Sequence, residues 1–327
     1  MKPVYLFACT IADAEAKKRM EQVIDIVEID AKTPEELLPH LEGKEGLIVP
    51  WTQNMLITRE VLEAGKSLKL VGTTYGGVKQ NVDAEAAFER GLAVLHTGAS
   101  RPRPMAEYTL GLVLSSLLQI HNYHHYMRSG EAWPRNKYPR TRIIQNRKVA
   151  VIGVGHIGRG IVDMFKLFTD DIAVVSRHLS DADAAAMGVT KKSLEAAMAE
   201  SEIIILAGGY TPETHHMIGA KEFALMQENA LLVNIARGGM IDQQAMIEAV
   251  NSKNIFLALD VFEKEPLEED SPLRENDRVL MTPHRANNSI EFEQRWQCLA
   301  EEINDFYNGK TPASLLTPVR SRVMSDS

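Results

Sequence analysis

From residue 4 onward, short apolar runs alternate with stretches whose apolar residues recur every three or four positions. YLFACTI, DIVEI, GLIVP, LKLVGTT and LAVLH read as strands, and AEAKKRMEQ, TPEELLPHL and TREVLEAGK between them read as helices. Apolar runs of strand length separated by helical patterns specify a parallel sheet with helices on both faces. The alternation stops at RPRPMAEYTLGLVLSSLLQIHNYHHYMRSG. Pro104 suits a first helical turn, where its missing N–H costs nothing. From about Met105 to Met127 the apolar residues sustain one helix, until Ser129-Gly130 stops it. After a loop with Pro134 and Pro139, a second alternating series begins. Its strands are KVAVIGV, DIAVVS, SEIIILA, NALLVNI, IFLALDV and RVLMTP, and one last amphipathic helix runs from Glu291 to Asn308. The closing SRVMSDS reads as a frayed tail. The pattern predicts an α/β protein of two parallel-sheet domains, Rossmann-like or flavodoxin-like.

The chain's 327 residues exceed what one core usually supports, which agrees with two domains. A formal charge of −8 argues against a nucleic-acid partner, because no basic face dominates. Two cysteines, Cys9 and Cys298, are too few for a disulfide framework and point to a reducing compartment, hence a cytoplasmic protein. No apolar run has bilayer-spanning length. Lys2 followed by PVYLFACTIA imitates a secretion signal, but the run is short and a helical pattern follows at once, so a first buried strand is expected.

Gly153, Gly155 and Gly158 form GVGHIG between the strand KVAVI and the helical run GRGIVDMFKLF. Glycines at this spacing allow a tight turn, close approach to a pyrophosphate and close helix–strand packing, while the helix N-terminus presents free N–H groups to the anion. A dinucleotide cofactor is therefore expected. At the end of the next strand such folds carry an acid that bonds the ribose hydroxyls. VVSRH has Ser176 and Arg177 there instead. No carboxylate repels a 2′-phosphate, and a guanidinium is available to bind one, so NADP is expected ahead of NAD.

Three polar residues follow further strands: Arg237 in NIARGGMID, Glu265 in ALDVFEKEPL and His284 in MTPHRANNS, with Asp260 inside the apolar end of its strand. All lie beyond the carboxyl ends of predicted parallel strands, where open α/β sheets bind ligands. Together with LKLVGTTYGGV, AEYTLGLVL and TPETHHMI, these segments resemble, in order and spacing, the D-isomer-specific 2-hydroxyacid dehydrogenases.

The resemblance implies a substrate domain made of residues 1–103 and 292–327, with a dinucleotide domain, 104–291, inserted between. It makes His284 the acid/base, Glu265 the carboxylate that orients it and favours its protonated form, and Arg237 the clamp on the substrate carboxylate. Tyr75, Gly76 and Gly77 resemble the loop that receives that carboxylate. Gly153, Gly155, His156, Ile157, Gly158, Ser176, Arg177, Ala236 and Asp260 would contact the cofactor, Asp260 on the nicotinamide side. The implied activity is hydride transfer between NADP(H), or NAD(H), and a small 2-keto or 2-hydroxy acid of the glyoxylate/hydroxypyruvate class. The other reading is a dinucleotide-sensing interaction protein on the same fold. The helix from Met105 to Met127 would dock two copies as a homodimer.

Departures from the family pattern bear on the substrate. Arg285-Ala286-Asn287-Asn288 follow His284, Gly208-Gly209 replace a bulkier pair, Lys79 stands where an acid is common, and Trp51, Tyr75, Arg101 and Arg103 bring bulk and charge. His121 and His125 share a helix face, yet no further ligands accompany them, so no metal is expected.

Overall fold

The computed structural model describes residues 2–137 and 140–323. Pro139 of the expected loop and residues 324–327 of the expected tail lie outside the described residues. The chain divides into two compact units, Met1–Arg101 with Ile290–Ser327, and Pro102–Ser289. Among the described residues no helix is long and apolar enough to cross a membrane.

The first unit holds β1 (Val4–Phe7), β2 (Asp25–Glu28), β3 (Gly46–Val49), β4 (Leu70–Thr73) and β5 (Ala93–Leu95), all parallel in the order β2-β1-β3-β4-β5. The apolar N-terminal run is thus an inner strand. Tyr5, Leu6 and Phe7 are fully buried, and each such side chain contributes roughly 1.5–3 kcal/mol by leaving water. The helix Ala14–Met20 begins where Asp13 accepts the N–H groups of Glu15 and Ala16, both at 2.9 Å. That bond satisfies donors the helix itself cannot.

The second unit holds β6 (Val149–Ile152), β7 (Ile172–Val175), β8 (Thr190–Lys191), β9 (Ile203–Leu206), β10 (Leu231–Asn234), β11 (Phe256–Leu259) and β12 (Val279–Met281). They form a parallel sheet in the order β12-β11-β10-β9-β6-β7-β8. The order reverses between β6 and β9, the switch point at which doubly wound sheets open a crevice. The two-residue β8 was not expected; its run carries no apolar pattern to mark it.

Two helices differ from expectation. The run from Met105 is two helices, Pro102–Leu117 and Ile120–Arg128. The break falls at Gln119, whose backbone is left-handed at φ 56°. Its side chain donates to the Ser116 carbonyl at 2.6 Å and accepts from Asn122 at 2.8 Å, and Asn122 also donates to the Asp277 carbonyl. Polar side-chain bonds, one of them to the Asp277 carbonyl outside the helix, therefore hold the break at this point. The last long helix starts later than expected: Ile290–Gln294 is a 3-10 turn, and the α-helix spans Arg295–Tyr307. Residues 321–323 of the expected tail close a short helix, Pro318–Val323.

Candidate active site

Because every strand of the second unit is parallel, the loops after β10, β11 and β12 leave one edge of the sheet side by side. Arg237 follows β10, Glu265 follows β11 and His284 follows β12. His284 Nδ1 lies 2.8 Å from Glu265 Oε2, and the other carboxylate oxygen accepts the Phe262 N–H at 3.0 Å. Held through Nδ1, the ring keeps Nε2 as its second proton-transfer atom. The two side chains are 39% and 37% exposed, so water moderates their interaction.

Asp260 lies beneath them and is completely buried. Its Oδ1 accepts from the Thr282 hydroxyl at 2.6 Å, the Arg285 N–H at 2.8 Å and the Tyr108 hydroxyl at 3.2 Å. Its Oδ2 accepts the Ala286 N–H at 2.9 Å, and its backbone carbonyl accepts the His284 N–H at 2.8 Å. A buried carboxylate satisfied this fully acts as a peg for the segment 282–286. His284 itself is left-handed, at φ 51°. This backbone region costs a non-glycine residue about 1–3 kcal/mol and persists where surroundings over-determine it.

Arg237 is half-buried, and its Nη1 donates to the Ala236 carbonyl at 2.7 Å. Asn234, buried at the end of β10, ties the turn: its Nδ2 donates to the Arg237 carbonyl and its Oδ1 accepts the Ala236 N–H. Asn234, Thr282 and Tyr108 were missed as supports of the site. A buried amide closing the otherwise apolar LLVN run was the available signal for the first of them.

The glycine loop lies at the switch point. Gly153 has φ +96°, and a Cβ there would fall 2.3 Å from the Gly208 Cα, so only glycine lets the loops after β6 and β9 meet. A Cβ at Gly155 would meet nothing within 4 Å, leaving open space in front of the loop. Gly155 caps the helix His156–Phe165 without a side-chain hydrogen bond, so His156 and Ile157 sit in a first turn whose N–H groups no capping side chain has taken. These features fit a pyrophosphate-bearing cofactor. Beyond β7, Ser176 is half-buried and Arg177 exposed. An acid does come near, from another loop. The Glu213 carboxyl is held below its ordinary range first by the Thr211 hydroxyl at 2.7 Å, with the charge of Arg177 adding to the effect.

Tyr75, Gly76 and Gly77 lie in the first unit, in the loop after β4, where the Thr97 N–H donates to the Tyr75 carbonyl at 2.9 Å. Neither cysteine offers thiolate chemistry at neutral pH. Burial pushes Cys9 up to about 11 and Cys298 up to about 12.

The second unit is thus a doubly wound sheet with a glycine loop at its switch point and a carboxylate–imidazole pair beyond the carboxyl ends of its strands. Residues 110–286 match the family described as D-isomer specific 2-hydroxyacid dehydrogenase, NAD binding domain. The chain belongs to that family. It is 33% identical over 90% of its length to a D-3-phosphoglycerate dehydrogenase of Methanocaldococcus jannaschii, and spans 56% of that relative. It is 29% identical over 97% of its length to a glyoxylate reductase of Aeropyrum pernix, covering 96% of it. The solved D-mandelate dehydrogenase of Rhodotorula graminis shares the fold, with a TM-score of 0.84 at 22% identity over 99% of this chain and 100% of that one.

Proposed function

We propose that the chain is a reductase of small 2-keto acids that prefers NADPH over NADH. The observation that carries the reading is the His284–Glu265 pair, 2.8 Å apart on a segment pinned by buried Asp260. Imidazole is suited to give a proton to a keto oxygen and recover it from a hydroxyl near neutral pH. A bound nicotinamide supplies the hydride. His284 delivers the proton to the carbonyl oxygen, and Glu265 orients the ring and supports its charged form. Arg237 clamps the substrate carboxylate and polarises the neighbouring carbonyl. The N–H groups of Tyr75, Gly76 and Gly77 are assigned to substrate binding. Asp260 positions the segment that carries His284.

Cofactor contacts are assigned to Gly153, Gly155, His156, Ile157, Gly158, Ser176, Arg177 and Ala236. Arg177 supports the preference for a 2′-phosphate, with Glu213 as its competitor for the guanidinium. Relatives named glyoxylate reductase support glyoxylate and hydroxypyruvate as first substrates to test.

We further propose a cytoplasmic homodimer joined through the helices Pro102–Leu117 and Ile120–Arg128. Ile120 (54%), Met127 (48%), Trp133 (73%) and Ile143 (55%) expose large apolar side chains on and just after them. A second copy would cover this surface.

The decisive experiment follows NADPH and NADH oxidation against a panel of 2-keto acids. Turnover with NADPH preferred supports the reading. Silence across the panel with cofactor still bound would overturn it in favour of a dinucleotide sensor. Sedimentation of a monomer at micromolar concentration would reject the dimer.

A further inference from the structure

A second cavity, of about 260 Å³, opens within the second unit at the amino ends of β10 and β11. The loops that carry Arg237, Glu265 and His284 leave the opposite ends of these strands. Phe256, the first residue of β11, and Leu117, the last of the helix Pro102–Leu117, supply its apolar surface. Arg140, Thr141 and Arg142 line it from the segment that leads into β6, and the Arg142 N–H is tied to the Leu117 carbonyl at 3.0 Å. Gln119 and Asn229 complete the lining. Both have left-handed backbones, at φ 56° and φ 63°. Non-glycine residues held in that region collect at ligand sites, as His284 does on the other side of the sheet.

The polar lining is one-sided. The Arg142 guanidinium carbon lies 5.3 Å from the Phe256 ring centre, and the side chain is half-buried, while Arg140 is exposed. Among the described residues neither guanidinium has an ion pair or a hydrogen-bond acceptor. Their neighbour Arg147 shows the contrast, since it is paired with Glu202. Burial first, and the charge of Arg147 second, weigh against the charged form of Arg142, and Glu202 offsets them least. Asn229 Oδ1 already accepts from Asn254 Nδ2 at 2.6 Å, which leaves the Asn229 N–H₂ group as a further donor. Among the described residues no acid lines the cavity, although the chain carries a formal charge of −8. Partly desolvated donors of this kind favour an acceptor, and an ionised acceptor most.

We propose that this cavity is a second ligand site, which takes a small organic anion. A carboxylate or phosphate is bound by Arg142 and Arg140, and the apolar body of the ligand lies against Phe256 and Leu117. The small volume selects a compact body, below the size of most cofactor sites. The inference is independent of the reductase reading, because no residue of the proposed reaction lines the cavity.

The test is calorimetric titration of the full chain with phenyl phosphate, benzoate, neutral benzamide and inorganic phosphate. One charge-assisted arginine contact is expected to change affinity roughly 10- to 100-fold. At least one of the two aromatic anions should bind more tightly than benzamide by that factor, and the tighter of the two tells phosphate from carboxylate. Inorganic phosphate, with charge but no apolar body, should bind more weakly than phenyl phosphate. Arg142→Met should lose the preference for the anion, and Arg142→Lys, with charge but no planar fork, should keep part of it. Arg140 is exposed and without a partner, so Arg140→Met tests the site even where Arg142→Met melts early. Arg237→Met should leave probe binding unchanged.

Benzamide bound as tightly as the anions, inorganic phosphate bound as tightly as phenyl phosphate, or no binding at millimolar concentration would each overturn the proposal. So would a dissociation constant that follows Arg237→Met, which would place the probe in the active site. Sedimentation of the same variants addresses the remaining occupant, an acidic group of a second copy. Arginine variants that dissociate a dimer while leaving probe affinity unchanged would give these residues to the partner copy and end the ligand reading.

Discussion

Replacing Glu265 by glutamine tests the proposed chemistry most directly. The substitution keeps the shape of the side chain, and its amide oxygen can still accept the Phe262 N–H now held at 3.0 Å. What changes is the group 2.8 Å from His284 Nδ1. A carboxylate there favours the imidazolium, which donates from both nitrogens. An amide N–H₂ favours the neutral ring with Nδ1 as acceptor. Both side chains are more than a third exposed, at 39% and 37%, so the charge effect must be discounted for solvent. A screened pair of this kind is worth about 0.5–1 kcal/mol. Losing that support for proton donation to the keto oxygen should lower kcat for reduction by about two- to fivefold, at 1.36 kcal/mol per factor of ten. The assay is kcat for keto-acid reduction at saturating cofactor and substrate, at low and high salt. The difference between native and variant should shrink as salt is added. A kcat unchanged by the substitution at low salt would refute the His284–Glu265 pairing as an acid/base unit.

Three further expectations follow from other parts of the structure. Arg177→Ala should lower the kcat/KM ratio of NADPH over NADH by about tenfold, since one charge-assisted phosphate contact is lost; an unchanged ratio would remove Arg177 from the cofactor site. Asp260→Asn places an N–H₂ group either against the donors of Thr282 and Arg285 or against the Ala286 N–H, because only one oxygen remains. It should cost about 1–3 kcal/mol in chemical denaturation and lower kcat with it, whereas native stability and kcat would dismiss the peg. Burial raises the Glu302 carboxyl above the usual carboxylate range, against the Ser314 N–H that it accepts at 3.0 Å. The folded chain then keeps a proton that the unfolded chain has already lost, so this group's contribution to stability is largest at low pH and falls as pH rises through that window. Glu302→Gln removes the slope, and its melting temperature relative to the native protein should be higher at about pH 8 than at about pH 4.5; a difference independent of pH would show that Glu302 does not titrate in this way.

The two sheets were legible because each inner strand is a continuous apolar run bounded by helical patterns, as GLIV and IIIL show. The glycine loop was legible for the same local reason: strand, turn and helix follow one another without interruption. The break at Gln119 was not. Its causes include Asn122 reaching the Asp277 carbonyl, far along the chain, while the local sequence reads as unbroken helix. Asp260 was visible as an acid inside an apolar strand, but its work was not, because the donors it binds come from Tyr108 and from a later loop, two of them backbone N–H groups. Arg177 was conspicuous where an acid was expected. Glu213, which shares its electrostatic neighbourhood, comes from the loop after β9 and no spacing rule points to it.

The two carboxylates around His284 are placed in opposite environments, and the chemistry explains why. Asp260 is fully buried, and its oxygens are taken up by a phenol, a hydroxyl and two backbone N–H groups. With every donor around it engaged in a water-excluded setting, its position is fixed, which suits a group whose task is geometric. Glu265 and His284 are partly exposed. For the acid/base role proposed for His284, solvent access leaves the ring open to proton exchange, which a buried ion pair would hinder. The segment 282–286 joins these environments: its N–H groups are anchored on Asp260, while the left-handed backbone at His284 turns that residue's side chain toward Glu265. Rigidity is supplied from below and proton exchange is left open above, which is the arrangement a general acid/base requires.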